Sequence, residues 1–560
     1  MSPRTIVVLG GALSGPTAAA RARETDEHAR IVLVERSRRV SYALCGLAYH
    51  LSGEVGSLDA LDRERADFFE QVYRIEVWTE AEATALDAPR RTVTVQRGGK
   101  AEALAYDALV FALGAASRLP DLPGLEGTNV RPLRTIDDLE ALASALRAGQ
   151  RRVTVLGGGP IGVEAADGLV RGGAEVTLVE RGPTLLPRFG RQPSAAARRA
   201  LAGRARVHCG ATVTGVETTG GAVTQLRLST GEVVATDFVV AAIGLIPRTE
   251  LLAGAGATLA ADGTVVVDDR AQTSLPGVFA CGVCVSAPQA VTGVPTWSPQ
   301  GALADKTAQV AGANAAAGDA RLAPALGSML VRVVDTTVGR TGLSAAEADA
   351  HLGRASVGVT TVHASSHDPY FPGAAPLLLR LLWDRRNGRI LGAEAAGTAG
   401  VDKRVDAAAA AVAGGLTVED LAALDLGYAP PYASARDPLN VAAAVAAAER
   451  AGLAAPVMPR VLHERCARAE ALTLLDVRSA AERGTGPGLA GALAVPLEEL
   501  RARAGALDAT RPVVAFDGTG RRGYLAARLL AQHGLRGASY LAGGLASWTL
   551  LGLPTEGGAA

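Results

Sequence analysis

Three small groups of residues carry most of the chemistry open to this 560-residue chain. The first is Gly10-Gly11-Ala12-Leu13-Ser14-Gly15, which follows the apolar run TIVVL. Gly10 permits a tight turn and Gly15 lets a helix pack close to the strand. The helix N-terminus then offers free N–H groups to a pyrophosphate. Glu35 ends the next apolar run, where a carboxylate can accept from the hydroxyls of a ribose, and Arg36 follows it. The second group repeats this grammar: Gly157-Gly158-Gly159-Pro160-Ile161-Gly162, a full G-x-G-x-x-G, with Glu180 at the corresponding strand end. Glu180 favours a free ribose 2′-hydroxyl over a 2′-phosphate, and so NADH over NADPH; the neighbouring Arg181 keeps NADPH open. Two such turns in one chain are more specific than either alone, because electron passage between two dinucleotides needs both.

The third group is a single thiol. Cys45 lies in VSYALCGLAYHLSG, just after the Glu35 strand, which puts it beside the first dinucleotide and near the start of a short helix. There the helix dipole is expected to stabilise a thiolate. The next cysteine along the chain is Cys209, so Cys45 has no local disulfide partner. A reactive thiol so placed cycles through a mixed disulfide, a persulfide or a sulfenic acid. The bland alternative is a buried cysteine packing as a small hydrophobe.

These groups need elements to hold them. Residues 5–36 and 152–181 each spell strand, glycine turn, alanine-rich helix, strand and acid, the βαβ unit of a doubly wound parallel sheet. A further strand-like piece, TDFVVAAIGLIP, leads to a β-rich stretch ending GVFACGVC. Long strands such as LLLRLLWD and RILGAEAAG mark an α+β segment beyond it. The stretch at 445–460 reads as a helix end and linker before a last α/β unit. Equal numbers of acidic and basic residues, 56 of each, imply no nucleic-acid partner and no anionic-membrane partner. Five scattered cysteines fit a reducing cytosol rather than a disulfide framework. No apolar run reaches the ~20 residues of a membrane span, and MSPRTIVVLGG enters a strand with no room for a signal peptide.

Several longer stretches together resemble one family. GGALSGPTAAARA, VSYALCGLAYHLSGE, SHDPYFPGA, GVDKRVDAAAAAVAGGLTVEDL and GYAPPYASARDPLN are similar to coenzyme A-disulfide reductase and its fusion with a rhodanese domain, some members of which are NADH-dependent persulfide or polysulfide reductases. The resemblance implies two Rossmann-like domains in an α/β chain. FAD would occupy 1–115 with 245–325, and NAD(P)H would occupy 116–244. A dimerisation domain at 326–445, a linker at 446–460 and a rhodanese-like domain at 461–560 would follow. It further implies a homodimer with shared active sites and a small thiol, disulfide or persulfide as substrate. Cys45 matches the redox cysteine. Tyr370 and Tyr428 match two tyrosines supplied by the partner subunit, whose phenols can donate to a departing thiolate. Thr17 and Ser41 match coenzyme contacts, with Arg21 close by, and Arg436 stands where a lysine is usual. Related peroxidases and oxidases carry a histidine in the first glycine-rich turn; Leu9 to Ala20 has none, which argues against peroxide or oxygen as acceptor.

The chain departs from that pattern at three places. Gly282 is followed by Val283 where the family places an aspartate on the flavin's ribityl hydroxyls, and Ala112-Leu113-Gly114 lacks a usual threonine. An unsatisfied hydroxyl there costs roughly 1–3 kcal/mol. Cys281 and Cys284, in the same motif, are expected to pack rather than to form a redox pair. Leu44 replaces an asparagine before the cysteine, and Glu24 stands where a base is common, with Arg21 and Arg23 as candidate replacements. Asp517 occupies the position of the sulfur-carrying cysteine in the loop D-G-T-G-R-R-G, after the Asp476-Val477-Arg478 signature. A carboxylate cannot carry sulfane sulfur, and Cys466 lies at the start of the unit, so this domain is expected to be inactive. Two alternatives stay open: a divergent scaffold or sensor with impaired FAD binding, and a flavoenzyme repurposed for another acceptor in a biosynthetic pathway.

Overall fold

A computed structural model describes residues 3–535 and 537–556. The chain divides into two compact units, one of residues 1–183 and 201–327, the other of residues 184–200 and 328–560.

The first unit holds two five-stranded parallel sheets of the same design. In one, Val278–Ala280, Ala108–Phe111, Thr5–Leu9, Arg30–Val34 and Ile75–Trp78 lie side by side in that order. In the other the order is Ala205–Cys209, Glu175–Glu180, Arg152–Leu156, Phe238–Ala241 and Val130–Arg131. In each sheet the glycine turn leaves the strand whose two neighbours are reached in opposite directions. That switch opens a crevice at the strands' carboxyl ends. Strands covered on both faces must be apolar throughout, and Ile6 to Leu9 and Ile31 to Val34 are all buried. The helices Ser14–Thr25 and Gly301–Ala315 pack closely enough that a Cβ on Gly312 would strike the Ala18 carbonyl. TDFVVAAIGLIP forms two strands, Phe238–Ala241 and Leu245–Pro247, broken where Gly244 takes φ +123°.

The second unit contains an antiparallel sheet ordered Met329–Val333, Thr336–Gly342, Ile390–Gly397, Pro376–Asp384 and Val357–Ser365. LLLRLLWD is buried along its length. Of its two charges, Arg380 pairs with Glu394 directly across the register, and Asp384 pairs with Arg386 at 2.7 Å. Glu394 also accepts from the Gly190 amide at 2.6 Å, which ties residues 184–200 to this unit. A parallel sheet follows, Pro456–Val457, Ser539–Leu541, Val513–Phe516, Thr473–Asp476 and Leu493–Ala494. Among the described residues no helix is long and apolar enough to cross a membrane.

Candidate active site

The two glycine turns are built alike. Gly10 has φ +104° and Gly157 has φ +105°. A Cβ on either would run into a carbonyl, that of Ala112 or of Ala242, and a Cβ on Gly15 or Gly162 would run into the carbonyl of Gly10 or Gly157. No side chain fits at these four positions. The third position differs: Gly159 is extended, at φ −72°, and a Cβ there would meet nothing. Ala12, its counterpart, therefore leaves the first turn undisturbed. Helix Ser14–Thr25 has neither a side-chain cap nor an acid in its first turn. Its leading N–H groups stay open to an anion.

Glu35 accepts from the Gly11 amide at 2.6 Å and the Ser37 amide at 2.7 Å. Glu180 accepts from Gly158 at 2.6 Å and Gly182 at 2.5 Å. These bonds lock each carboxylate beside its turn, with lone pairs left for a ribose diol. Arg36 turns away to the exposed Glu82, 3.8 Å distant, and Arg181 is exposed. Gly114 and Gly282 both have positive φ, +67° and +82°. Val283 lies in the 3₁₀ turn Gly282–Cys284, half-buried, its carbonyl accepting from the Trp297 indole at 2.9 Å. The first cradle thus keeps the features that hold a dinucleotide: a crowded glycine turn, an uncapped helix and a fixed acid. What it lacks is a polar side chain at Val283. Cys281 and Cys284 are fully buried, burial pushes both thiols up, and Cys284 donates to the Cys281 carbonyl at 3.1 Å. Packing accounts for both.

Cys45 lies in the 3₁₀ turn Leu44–Gly46, which runs into the helix Leu47–Leu51, and its side chain is exposed. The expected dipole stabilisation does not prevail. Surrounding protein pushes the thiol up first, Glu164 adds to that, and Arg134 opposes it. A five-residue helix sums too few peptide dipoles to reverse the balance. Arg134 donates to the Ala115 carbonyl at 2.7 Å. Burial and its neighbour Arg248 both lower its pKa. No motif or periodicity announced Glu164 and Arg134, which reach the cysteine from distant segments, or Arg248, which acts on Arg134. The cysteine's helix meets the helix Pro160–Arg171 of the second glycine turn. A Cβ on Gly168 or Gly172 would strike the carbonyl of Ala48 or Leu51.

The expected coenzyme contacts are unevenly placed. The Thr17 hydroxyl donates to Asp305 at 3.2 Å. Ser41 is buried with φ +53°, and Leu44 is half-buried. Arg21 is exposed and paired with Glu24 at 2.9 Å. Arg23 cannot substitute for a missing base: it is buried, donating to the carbonyls of Tyr73, Asp26, Glu27 and Arg74. Arg436, in the second unit, is exposed.

Tyr370 and Tyr428 also belong to the second unit, 74% and 50% exposed. The Tyr428 hydroxyl donates to Asp368 at 3.0 Å, with Tyr370 beside it. That bond to Asp368 is the chief reason its pKa is pushed up to about 12. Sequence reasoning missed the residue that braces both tyrosine segments, Arg404. Fully buried, it pairs with Asp437 through two nitrogens at 3.2 and 2.8 Å and donates to the Ser366 carbonyl at 2.8 Å. Asp437 caps the helix Pro438–Arg450. The DKR motif that contains Arg404 was the available signal.

In the last parallel sheet, Arg478 forms a buried two-pronged pair with Asp476. Asp517 is 2% exposed and accepts from the amides of Gly520 at 2.8 Å, Gly523 at 3.1 Å and Thr519 at 3.3 Å. The amide nest of the loop is filled by the chain's own carboxylate. Cys466 is exposed on the helix Pro459–Ala467.

Comparison with known proteins adds the following. The pyridine nucleotide-disulphide oxidoreductase family matches residues 4–306, its dimerisation domain residues 330–439, and the rhodanese-like domain residues 458–551. A "NAD(P)H sulfur oxidoreductase (CoA-dependent)" of Pyrococcus abyssi is 30% identical over 79% of this chain and 98% of its own. The reduced CoADR-RHD of Bacillus anthracis superposes with a TM-score of 0.93 at 31% identity, over 98% of both chains. A NAD-dependent persulfide reductase from A. fulgidus does so with 0.90 at 30% identity, over 97% of this chain and 100% of its own.

Proposed function

The chain belongs to the pyridine nucleotide-disulphide oxidoreductases, in the branch of coenzyme A-disulfide and persulfide reductases, and on that premise we propose that Cys45 is its one redox cysteine. It is an FAD- and NAD(P)H-dependent enzyme that reduces low-molecular-weight disulfides, persulfides or polysulfides. The observation that carries the role of Cys45 is its position: an exposed thiol one turn ahead of a helix packed against the helix of the second glycine turn, in the unit that holds both turns.

The first cradle, with Gly10, Gly11, Gly15, Glu35, Gly114 and Gly282, is assigned to FAD. The second, with Gly157, Gly159, Gly162 and Glu180, is assigned to the nicotinamide, and its fixed carboxylate favours NADH. When bound, FAD supplies two-electron transfer between the nicotinamide and a sulfur. The residues of the chain do the rest. Cys45, ionised with the help of Arg134, attacks one sulfur of the substrate, so that a Cys45–substrate disulfide forms and the first thiolate leaves. Two electrons and a proton then cleave that bond, releasing the second thiol and restoring the Cys45 thiolate. The phenol pair Tyr370 and Tyr428, from the other protomer of a homodimer with shared sites, supplies a hydrogen bond to the departing sulfur. The five-part domain division set out from the sequence, a reducing cytosolic location and an inactive rhodanese-like domain complete the proposal. Asp517 supports the last of these, because it offers no sulfur and fills the nest.

Replacement of the thiol tests this directly. Cys45→Ser is expected to keep rapid bleaching of the flavin band by NADH and to lose disulfide turnover. Turnover retained in the variant would remove Cys45 from the mechanism and favour a repurposed flavoenzyme with another acceptor. A protein that cannot be loaded with FAD at all would favour the scaffold.

A further inference from the structure

Asp368 holds both tyrosines at once. Its carboxylate accepts the Tyr428 hydroxyl hydrogen at 3.0 Å. Its carbonyl accepts from the Phe371 amide at 2.9 Å, closing a turn that presents Tyr370. That turn is itself fastened. His367 is buried, with Nδ1 3.1 Å from the Ser366 hydroxyl and Nε2 3.3 Å from the Pro372 carbonyl, and its ring meets Phe371 edge-on. The Ser366 hydroxyl accepts from Ala375, and Arg404 grips the Ser366 carbonyl. The carboxylate is therefore set by backbone on one side, while the two phenols it organises stand exposed.

This arrangement separates the two phenols. A hydroxyl carries one hydrogen. While Tyr428 gives its hydrogen to Asp368, its oxygen presents lone pairs and cannot also donate to a thiolate. Tyr370 has no such carboxylate acceptor among the described residues; the group beside its hydroxyl is the neutral Tyr428 oxygen, a weaker acceptor than an incoming thiolate. We propose that Asp368 is a positioning residue which holds Tyr428 by its hydroxyl and, through Tyr428, sets Tyr370 as the hydrogen-bond donor to the departing thiolate. The inference rests on the tyrosine pair serving the Cys45 reaction. It gives the two tyrosines different duties and adds a carboxylate that the sequence motif SHDPYFPGA contains without explaining.

A hydrogen bond to the leaving sulfur matters most when that sulfur leaves reluctantly. Thiolates of basic thiols are poor leaving groups and those of acidic aromatic thiols are good ones. The experiment compares the holoenzyme and its Asp368→Asn and Tyr370→Phe variants on two substrates, coenzyme A disulfide and an aromatic disulfide with an acidic thiol, with NADH saturating. Both variants are expected to lose about tenfold or more in kcat on coenzyme A disulfide. On the aromatic disulfide they should lose less than about threefold, and flavin bleaching by NADH should be unchanged. An equal loss on both substrates would mean that Asp368 merely supports the loop, and would overturn the inference. So would an Asp368→Asn enzyme with wild-type rates while Tyr370→Phe is selectively impaired. If Tyr370→Phe and Tyr428→Phe both turn over normally, the tyrosine pair itself has no part in the reaction, a distinct failure that also removes the inference.

Discussion

Val283 sits in the turn that carries Gly282, its side chain in ordinary contact range of the space beside Gly114. With FAD in this cradle as proposed, an apolar group there would leave a ribityl hydroxyl without its usual acceptor, at roughly 1–3 kcal/mol. Val283→Asp is accordingly expected to tighten FAD retention by about tenfold, read as the flavin lost on exhaustive dialysis. An unchanged loss would mean that the remaining cradle sets the affinity. The same residue illustrates what a sequence discloses at this scale. Gly10, Gly15, Gly157 and Gly162 were legible because crowded backbone demands glycine, and a demand of that kind leaves a fixed spacing. Arg23 was misjudged as a free base, since nothing local reveals that it would be buried on four carbonyls. Asp368, Arg134 and Arg404 bond partners 60, 19 and 33 residues away, and no periodicity records such partners.

Elements were more legible than their seams. Strand–turn–helix grammar located the two parallel sheets of the first unit, and LLLRLLWD marked a long strand. What grammar could not supply is how the helix Pro438–Arg450 meets the last sheet. There Glu449 is buried, accepting from Thr360 at 2.8 Å and from the Tyr540 hydroxyl at 2.8 Å. Burial pushes its carboxyl from the ordinary 4.5 to about 7. Nearby His363, bonded to Ser547 at 2.9 Å, is held down at about 4 by burial. The raised carboxyl means that the folded protein keeps a proton between pH 4.5 and 7 that the unfolded chain has released. Stability from this group therefore falls as pH rises through that window, by roughly 3 kcal/mol in full. The depressed histidine has the opposite sense, losing stability as pH falls from 6.5 to 4. Glu449→Gln removes only the first effect. Its melting temperature relative to wild type is expected to climb from pH 4.5 to 7 and then level off. A difference that stays flat across that range would show that Glu449 is ionised at no cost.

At the scale of the whole chain, one unit repeats a single design twice and the other joins an antiparallel sheet to a small parallel one. The repetition explains the chemistry: two dinucleotide cradles of matching construction flank one exposed thiol. The last sheet keeps the rhodanese-like frame, including the buried Asp476–Arg478 pair, while Asp517 closes its loop on itself. On the proposed reading, the sulfur chemistry of the molecule is concentrated at Cys45. Peptide mapping by mass spectrometry tests that most directly. After the oxidised holoenzyme meets coenzyme A disulfide, a coenzyme A adduct should appear on Cys45 and on none of Cys209, Cys281, Cys284 or Cys466, and it should vanish on adding NADH. A Cys45 that stays unmodified, or an adduct that NADH does not remove, would contradict the account.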